Sequence, residues 1–481
     1  MYDIVVIGAG ISGASIAREI SRYDLKVALL DKENDVSNGS TKANSAIVHA
    51  GYDVKPGTLM GKYNALGNFM YEGLCEELGV PFKKCGSLVI GFNEEDMEHI
   101  KELYERGKGN GIPDLEIIDA KRVKELEPNI QDDVIGALYA KTAGIVGPWE
   151  LTVAMVEDAI LNGVELFLET EVASIRKIDG GFEITDKNSK IFKTKKIINC
   201  AGVHSDIIHN MVAEKSFTIL PRKGEYFVLD KTQGEKINRT IFQCPTKMGK
   251  GVLLTPTVHG NLLVGPDSQD VKDRDDLSTS SDRLNYVREV AFKSSKNIDF
   301  REVVRTFSGM RAESDRGDFI IEEAPDCKGL YDVAGIKSPG LTAAPAIAKG
   351  VIELLKSSDL ELESKIKNTK ELKVRKKPVH FMELGAEEKS KIINENPSYG
   401  RVICRCEMIT EGEIIDTLKT PIKIKTVDSV KKRCRPGMGR CQGGFCGPRV
   451  QEIIARELNL SLKEVLLDKE GSYILTEETK N

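Results

Sequence analysis

The chain has 481 residues, 40% apolar, 30% charged and 6% aromatic, which is the profile of an ordinary globular protein and excludes collagen-like, disordered and disulfide-scaffold classes. At about 150 residues per domain, two to four domains are expected. Lys and Arg number 69 against 74 Asp and Glu, so the net charge of -5 gives no general reason to expect nucleic acid or an anionic membrane as partner.

The first residues, Met1-Tyr2-Asp3-Ile4-Val5-Val6-Ile7, lack a basic n-region and run straight into a strand pattern, so no signal peptide is expected ahead of the fold. No apolar run approaches the roughly 18 residues of a spanning helix. A cytoplasmic location follows as the expectation, with membrane association left open only through a partner.

The strand Ile4 to Ile7 leads into Gly8-Ala9-Gly10-Ile11-Ser12-Gly13 and then into Ala14 to Tyr23, where apolar residues recur at helical spacing. Gly8 permits the tight turn, Gly10 lets backbone amides approach a pyrophosphate, and Gly13 lets helix and strand pack closely. The helix start adds amides and the positive end of its dipole. A second strand, Lys26 to Leu30, ends at Asp31, whose carboxylate can accept from ribose hydroxyls. The ligand expected here is a dinucleotide with a diphosphate bridge, and the turn alone does not separate NAD from FAD.

Later segments narrow the choice. Ser40-Thr41-Lys42-Ala43-Asn44-Ser45-Ala46-Ile47-Val48-His49-Ala50-Gly51 is a loop of polar and small residues feeding an apolar run. Glu171-Val172 falls at the end of a predicted strand, Ile197 to Gly202 is a strand closing on small residues, and Val333 to Thr342 leads into a long helix, Leu341 to Lys356. On these segments the chain resembles the glycine/D-amino-acid oxidase superfamily of FAD-dependent oxidoreductases over nearly all of residues 1–355.

That resemblance implies an α/β fold: a Rossmann-like FAD-binding domain (about 1–80, 145–210 and 305–355) interleaved with an antiparallel-sheet substrate cap (about 81–144 and 211–304). Gly8, Gly10 and Gly13 would hold the FAD diphosphate, and Asp31 with Lys32 beside it the adenosine ribose. Ser40, Thr41, Asn44 and Ser45 would follow the diphosphate to the flavin, and Val172 would lie against the adenine. Ala201 and Gly202 would border the cofactor, with Gly335, Gly340, Leu341 and Thr342 at the flavin. The helix after Gly340 would aim its amide end at the loop, where a reduced flavin carries negative charge.

Between Asn210 and Ser308 short alternating runs dominate, among them Gly224 to Leu229, Gly251 to Pro256 and Asn261 to Pro266, and they read as strands of the cap. Phe307-Ser308-Gly309-Met310-Arg311-Ala312 resembles the family's Gly-x-Arg segment, so Arg311 is the expected grip on an anionic substrate. A planar guanidinium can hold two oxygens of a carboxylate or phosphate at once. Oxidation of a secondary alcohol needs a hydride acceptor, here flavin N5, and a group that takes the hydroxyl proton. His49, Tyr226 and Lys337 are the candidates, and His49 has the most suitable ordinary pKa. His49 has two other readings, orienting the loop or carrying a covalent flavin link; Lys337 could instead stabilise developing negative charge.

Ten cysteines are unevenly placed: five are scattered through the first 403 residues, and Cys404, Cys406, Cys434, Cys441 and Cys446 crowd into the rest. Scattered cysteines in a cytosolic chain behave as small buried hydrophobes, whereas close pairs point to a metal site. Between the two regions, residues 356–398 are charged, with seven basic residues from Lys365 to Lys377, and read as a solvated tether.

The next unit, 399–460, contains Cys404-Arg405-Cys406, a capping-box signature at Thr410-Glu411-Gly412-Glu413 opening a helix to Lys419, and a helical segment from Asp428 to Arg433. It continues with Gly437 to Cys446 and a final helix from Pro448, with 461–481 as a tail. Thiolates of a C-x-C and a C-x4-C pair on glycine-rich loops can enclose one inorganic centre. The unit resembles the bacterioferritin-associated-ferredoxin-like 2Fe-2S domain appended to certain flavin dehydrogenases, a small helical cysteine-rich fold whose ligands fall on Cys404, Cys406, Cys441 and Cys446, with Cys434 outside the set. Four thiolates also suit a structural zinc, and the residues alone leave that open.

Flavin and cluster together imply that electrons arrive as a pair and leave singly, to an electron-accepting protein subunit or flavoprotein. The combination is similar to the glycerol-3-phosphate dehydrogenases of the anaerobic catalytic-subunit type. The strings Asn44 to Gly51 and Lys223 to Phe227 look closer to L-2-hydroxyglutarate dehydrogenases. Glycerol 3-phosphate is the expected substrate, L-2-hydroxyglutarate the alternative, and amine or opine oxidation the third. From another class stands an FAD-binding electron-transfer subunit with a zinc domain.

Overall fold

A computed structural model describes residues 1–245 and 251–477. Its nucleotide-binding layer is a parallel sheet in the order Val164–Phe167, Val27–Leu30, Tyr2–Ile7, Ile191–Asn199, Leu330–Ala334. Val27–Leu30 and Ile4 to Ile7 are continuous aliphatic runs, because both faces are covered there, whereas Ile191–Asn199 alternates exposed and buried residues up to Lys195 before becoming buried throughout. The helices Ile11–Ile20, Pro148–Leu161 and Gly340–Lys356 pack together on one side of the layer. The hairpin Val172–Ile178/Gly181–Asp186 joins the N-terminal half of Ile191–Asn199.

Two expectations shift here. The first helix spans Ile11–Ile20 rather than Ala14 to Tyr23: Gly10, extended at φ -75°, ψ -175°, forms its N-cap, and a turn at Arg22 and Tyr23 ends it. Val172 opens a strand instead of ending one. The amides of Glu169 and Thr170 donate to the carbonyls of Glu33 and Asp31, which places Val172 beside the end of the second strand.

The cap is a second sheet, ordered Gln269–Asp270, Ile219–Leu229, Leu262–Gly265, Leu253–Pro256, Thr240–Gln243, Ser87–Gly91, Gly136–Ala140, Leu115–Asp119. All its pairings are antiparallel except Thr240–Gln243 with Ser87–Gly91, the seam where the two chain segments of the cap meet. The strand Val303–Ser314 pairs along the whole of Ile219–Leu229, so the cap sheet continues through Ser314 and the boundary expected at 304/305 falls inside this strand. The cap has its own core around Leu88, Ile90, Leu229, Ile241 and Val264.

The basic segment 365–377 is a docked strap rather than a solvated tether. The Lys367 ammonium donates to the carbonyls of Ser21 and Asn162, and Lys377 and Arg375 donate to the carbonyls of Glu76 and Leu78. Each of these carbonyls lies at the C-terminal end of a helix, where unpaired C=O groups and the negative dipole end favour a cation. Arg375 also pairs with the buried carboxylate of Glu157 at 2.5 Å.

The cysteine-rich domain follows with helices Glu411–Leu418, Val427–Cys434 and Gly447–Leu458. The capping box forms as its residues predict: the Thr410 hydroxyl accepts from the Glu413 amide, and the Glu413 carboxylate accepts from the Thr410 amide at 2.8 Å. Ile403, Ile414, Val430 and Ile454 of this domain belong to the same continuous apolar core as Ile4, Ile16 and Ile347. No helix among the described residues is long and apolar enough to cross a membrane.

Candidate functional site

At the carboxyl ends of the parallel strands the glycine turn adopts a shape that other residues do not fit. Gly8 has φ +105°, and a Cβ there would lie 2.3 Å from the Cys200 carbonyl oxygen; at Gly13 it would lie 1.8 Å from the Gly8 carbonyl oxygen. Gly10 leaves the helix start without a side-chain cap, and the Ile11 amide is taken by the Thr41 hydroxyl at 3.0 Å.

Asp31 accepts from the Ala9 amide at 2.6 Å and the Glu33 amide at 2.9 Å. Burial pushes its carboxyl up to about 6, against the pull of these two amides. Lys32 is exposed and reaches the cap, 3.3 Å from Asp275 and 3.2 Å from His204. The Ala201 amide donates to Asn199, and Gly202, at φ +58°, starts a short turn with no atom within 4 Å of its missing Cβ. An open, amide-lined turn beside an acidic strand end fits an adenosine diphosphate.

The loop from Ser40 to Ser45 runs from this turn onto the cap. Asn44 spends its side chain on the loop itself, bonding the carbonyls of Ser40 and Thr41 and the Ala46 amide. The Ser40 hydroxyl donates to the Met310 carbonyl at 2.6 Å, and a Cβ on Gly309 would stand 1.9 Å from the Ala43 carbonyl oxygen. Ser45 and Tyr226 hydroxyls are 3.2 Å apart, and the Tyr226 ring stacks on Phe307 at 4.6 Å.

Alternation along Val303–Ser314 sets Phe307, Gly309, Arg311 and Glu313 on one face of the cap sheet. Arg311 donates to the carbonyls of Asp267 at 3.0 Å and Lys223 at 3.5 Å; among the described residues no carboxylate pairs with it. Lys337, by contrast, is paired to Glu313, which also lies 3.4 Å from Arg222. Arg311 therefore keeps charge to spare for a ligand, and Arg305, exposed and earlier in the same alternation, stands on the same face.

On the opposite side, Gly335 has φ +67° and the loop after it ends at Gly340, where the helix to Lys356 begins. The Gly340 amide closes on the Lys337 carbonyl at 2.6 Å, and the Leu341 carbonyl accepts from the Tyr71 hydroxyl. Several contacts hold His49: its amide donates to the Thr342 hydroxyl at 2.9 Å, its carbonyl accepts from Asn68 at 3.1 Å, and its Nε2 lies 3.2 Å from the Ser338 hydroxyl. Tyr226 and Arg311 thus lie on the face of the cap sheet that meets the loop at Ala43 and Ser45, while the loop 335–340 is linked to the cap through Lys337 and Glu313 and to His49 through Ser338.

Glu313, Ser338 and Asn68 were not singled out from the sequence. Glu313 had a legible signal, since it is two residues beyond Arg311 on a strand; Asn68 and Ser338 had none.

In the cysteine-rich domain the Cys406 and Cys441 sulfurs are 3.7 Å apart, and the Cys446 thiol donates to Cys404. That donation, opposed by burial and aided by the amides of Gly437, Glu407 and Cys406, lowers Cys404 to about 6. The amides of Phe445 and Gly443 lower Cys441. Among the described residues no three metal-binding side chains are gathered for a single ion. Four thiols in two pairs, ringed by glycine-loop amides, fit a four-thiolate centre, and two thiolates for each iron of a two-iron cluster match the pairing. Cys434 bonds the Val430 carbonyl of its own helix, away from the pairs.

The fold and these two sites define a flavin-dependent oxidoreductase with an appended iron-sulfur domain. The chain belongs to the FAD dependent oxidoreductase (DAO) family, matched over residues 3–354, and carries a BFD-like [2Fe-2S] binding domain over residues 402–456. It is 52% identical over its full length to the glycerol 3-phosphate dehydrogenase of Caloramator mitchellensis, covering 99% of that protein. It is similar to the FAD-bound, dithionite-reduced L-alpha-glycerophosphate oxidase of Mycoplasma pneumoniae, with 31% identity and a TM-score of 0.71 over 74% of this chain and 94% of the other. L-2-hydroxyglutarate dehydrogenase of Escherichia coli K12 is 32% identical over 56% of this chain and 64% of its own length.

Proposed function

We propose that the protein oxidises sn-glycerol 3-phosphate to dihydroxyacetone phosphate and passes the electrons singly to a separate electron-accepting subunit or flavoprotein in the cytoplasm. The observation that carries this reading is Arg311, a guanidinium without a carboxylate partner among the described residues, on the cap-sheet face that packs against the loop 40–45. The full-length similarity to a glycerol 3-phosphate dehydrogenase supports the choice of substrate.

When bound, FAD supplies a two-electron acceptor for the hydrogen leaving the alcohol carbon, and the [2Fe-2S] centre supplies a one-electron acceptor. Gly8, Gly10 and Gly13 admit the diphosphate; Asp31, Lys32, Val172, Ala201 and Gly202 wall the adenosine. Ser40, Thr41, Asn44, Ser45, Gly335, Gly340, Leu341 and Thr342 frame the flavin half. Arg311 grips two phosphate oxygens, its plane fixed by the carbonyls of Asp267 and Lys223.

His49 Nε2 takes the proton of the secondary hydroxyl, with Ser338 setting the ring. Lys337, its charge met by Glu313, fixes the loop that carries Ser338, and Tyr226 closes the substrate side. Cys404, Cys406, Cys441 and Cys446 hold the cluster.

Anaerobic mixing with glycerol 3-phosphate and, separately, L-2-hydroxyglutarate tests the reading. Glycerol 3-phosphate is expected to bleach the flavin bands within the turnover time; bleaching by L-2-hydroxyglutarate alone would transfer the assignment to that acid, a reading supported by the 32% identical relative.

A further inference from the structure

The segment that follows the second parallel strand touches the glycine turn on one side and the cysteine-rich domain on the other. The Ser37 amide donates to the Ala9 carbonyl, in the middle of the glycine turn, at 3.0 Å. Ser37 has φ +67°, a left-handed conformation that is strained for a residue with a side chain and persists only when its surroundings impose it.

The residues on either side of Ser37 are pinned from the helix Val427–Cys434. The Lys432 ammonium donates to the Val36 carbonyl at 3.1 Å and to Asn38 at 2.8 Å, and pairs with Asp35 at 2.9 Å. Arg433 grips both oxygens of Asp35, at 2.8 and 2.9 Å. The side chains of Asp35, Lys432 and Arg433 are 0%, 4% and 4% exposed.

Burial alone would raise the Asp35 carboxyl, but Arg433 and Lys432 outweigh it and hold it well below the usual carboxylate range. Around the same segment, Asn34 donates to the Asp468 carbonyl at 2.9 Å, and Lys42 lies 3.3 Å from the Asp468 carboxylate. Charges buried this deeply gain little over apolar packing, so their effect lies in fixing geometry.

We propose that the cysteine-rich domain, through Lys432 and Arg433, holds residues 34–38 in the shape that lets the glycine turn bind FAD, so that FAD binding and docking of this domain strengthen each other. Lys432 and Arg433 are positioning residues. They act through Asp35, Val36 and Asn38 on Ser37, and through Ser37 on Ala9. Thermodynamic linkage makes the effect mutual: whatever the docked domain adds to FAD affinity, FAD adds to the docking of the domain.

The proposal rests on the glycine turn being the FAD site, and the experiment separates the two. In the holoenzyme, Lys432→Met keeps the Arg433–Asp35 pair and is expected to weaken FAD binding about tenfold, the size set by one left-handed residue released to relax. The cluster absorption and the rate of flavin reduction per bound FAD should stay as in the parent, and Lys425→Met, an exposed lysine of the same domain, should leave FAD affinity unchanged. FAD affinity within twofold of the parent in a Lys432→Met protein that keeps its cluster overturns the proposal.

Should Lys432→Met fail to fold, the unaltered chain still decides: FAD should slow removal of iron by a chelator several-fold, and an equal rate with and without FAD overturns the linkage. Gly10→Val tests the underlying reading by itself, since retention of FAD in that variant would remove the turn from the FAD site whatever Lys432→Met does.

Discussion

The cap and the cysteine-rich domain both meet the nucleotide-binding layer, and they are joined to it by different forces. The cap is interleaved in the chain and is fastened to the loop 40–45 by close packing, Gly309 under Ala43 and the Met310 carbonyl under Ser40. The cysteine-rich domain comes last in the chain and is fixed by a shared apolar core and by buried side-chain charges, Asp35 with Lys432 and Arg433. Backbone fastening tolerates substitution of most side chains and depends on glycine, whereas charge fastening depends on three side chains and on pH. One domain is therefore expected to fail sterically and the other electrostatically.

The largest expected effect separates electron entry from electron exit. Cys441→Ser should abolish the long-wavelength cluster absorption and all transfer to a one-electron acceptor, while flavin bleaching by substrate continues; loss of bleaching as well would mean that the cluster supports the substrate site directly. Next comes Arg311→Ala, expected to lower kcat/KM for flavin reduction roughly a thousandfold, about 4 kcal/mol, with FAD still bound. Steady-state and rapid-mixing kinetics check it, and a normal rate would move the anion grip elsewhere on the cap.

Acid should act on the charge-fastened domain. The carboxyl of Asp35 titrates lower folded than unfolded, so its contribution is complete above the unfolded value of about 3.9 and is lost as pH falls below it. Trp149, the single tryptophan, donates from its indole to the Lys42 carbonyl and reports on this contact. Its emission should change as the pH falls below about 3.9, and change less in Asp35→Asn. The smallest effect is on the strap: Lys367→Ala removes a cation from two helix ends and should cost about 0.5–1 kcal/mol, read as a small drop in Tm.

The nucleotide site was legible because its requirements are backbone requirements. A turn that admits a diphosphate needs glycine at Gly8 and Gly13, and the strands and helix around it follow from local periodicity. The cluster was legible because thiols are rare and closely spaced at Cys404/Cys406 and Cys441/Cys446. The strap was misread, since a run of lysines carries no mark of which helix ends it will reach. Asp35, Lys432 and Arg433 were invisible for a related reason: an acid near a strand end and a basic pair on a helix are ordinary surface residues until the fold brings them together across about 400 positions. The extent of the Val303–Ser314 strand was missed because its C-terminal half, around Arg311 and Glu313, carries polar side chains into the interior.

The buried acid at position 35 also bears on how chains of this kind gain or lose their terminal module. The Mycoplasma pneumoniae oxidase is accounted for almost entirely by three-quarters of this chain. A protein of that length has no Lys432 or Arg433 over this point, and without the helix that bears them a carboxylate there would turn to water. Shortening the chain thus frees this position from its two cations, so an acid should be required there in relatives built with the module and optional in those built without it.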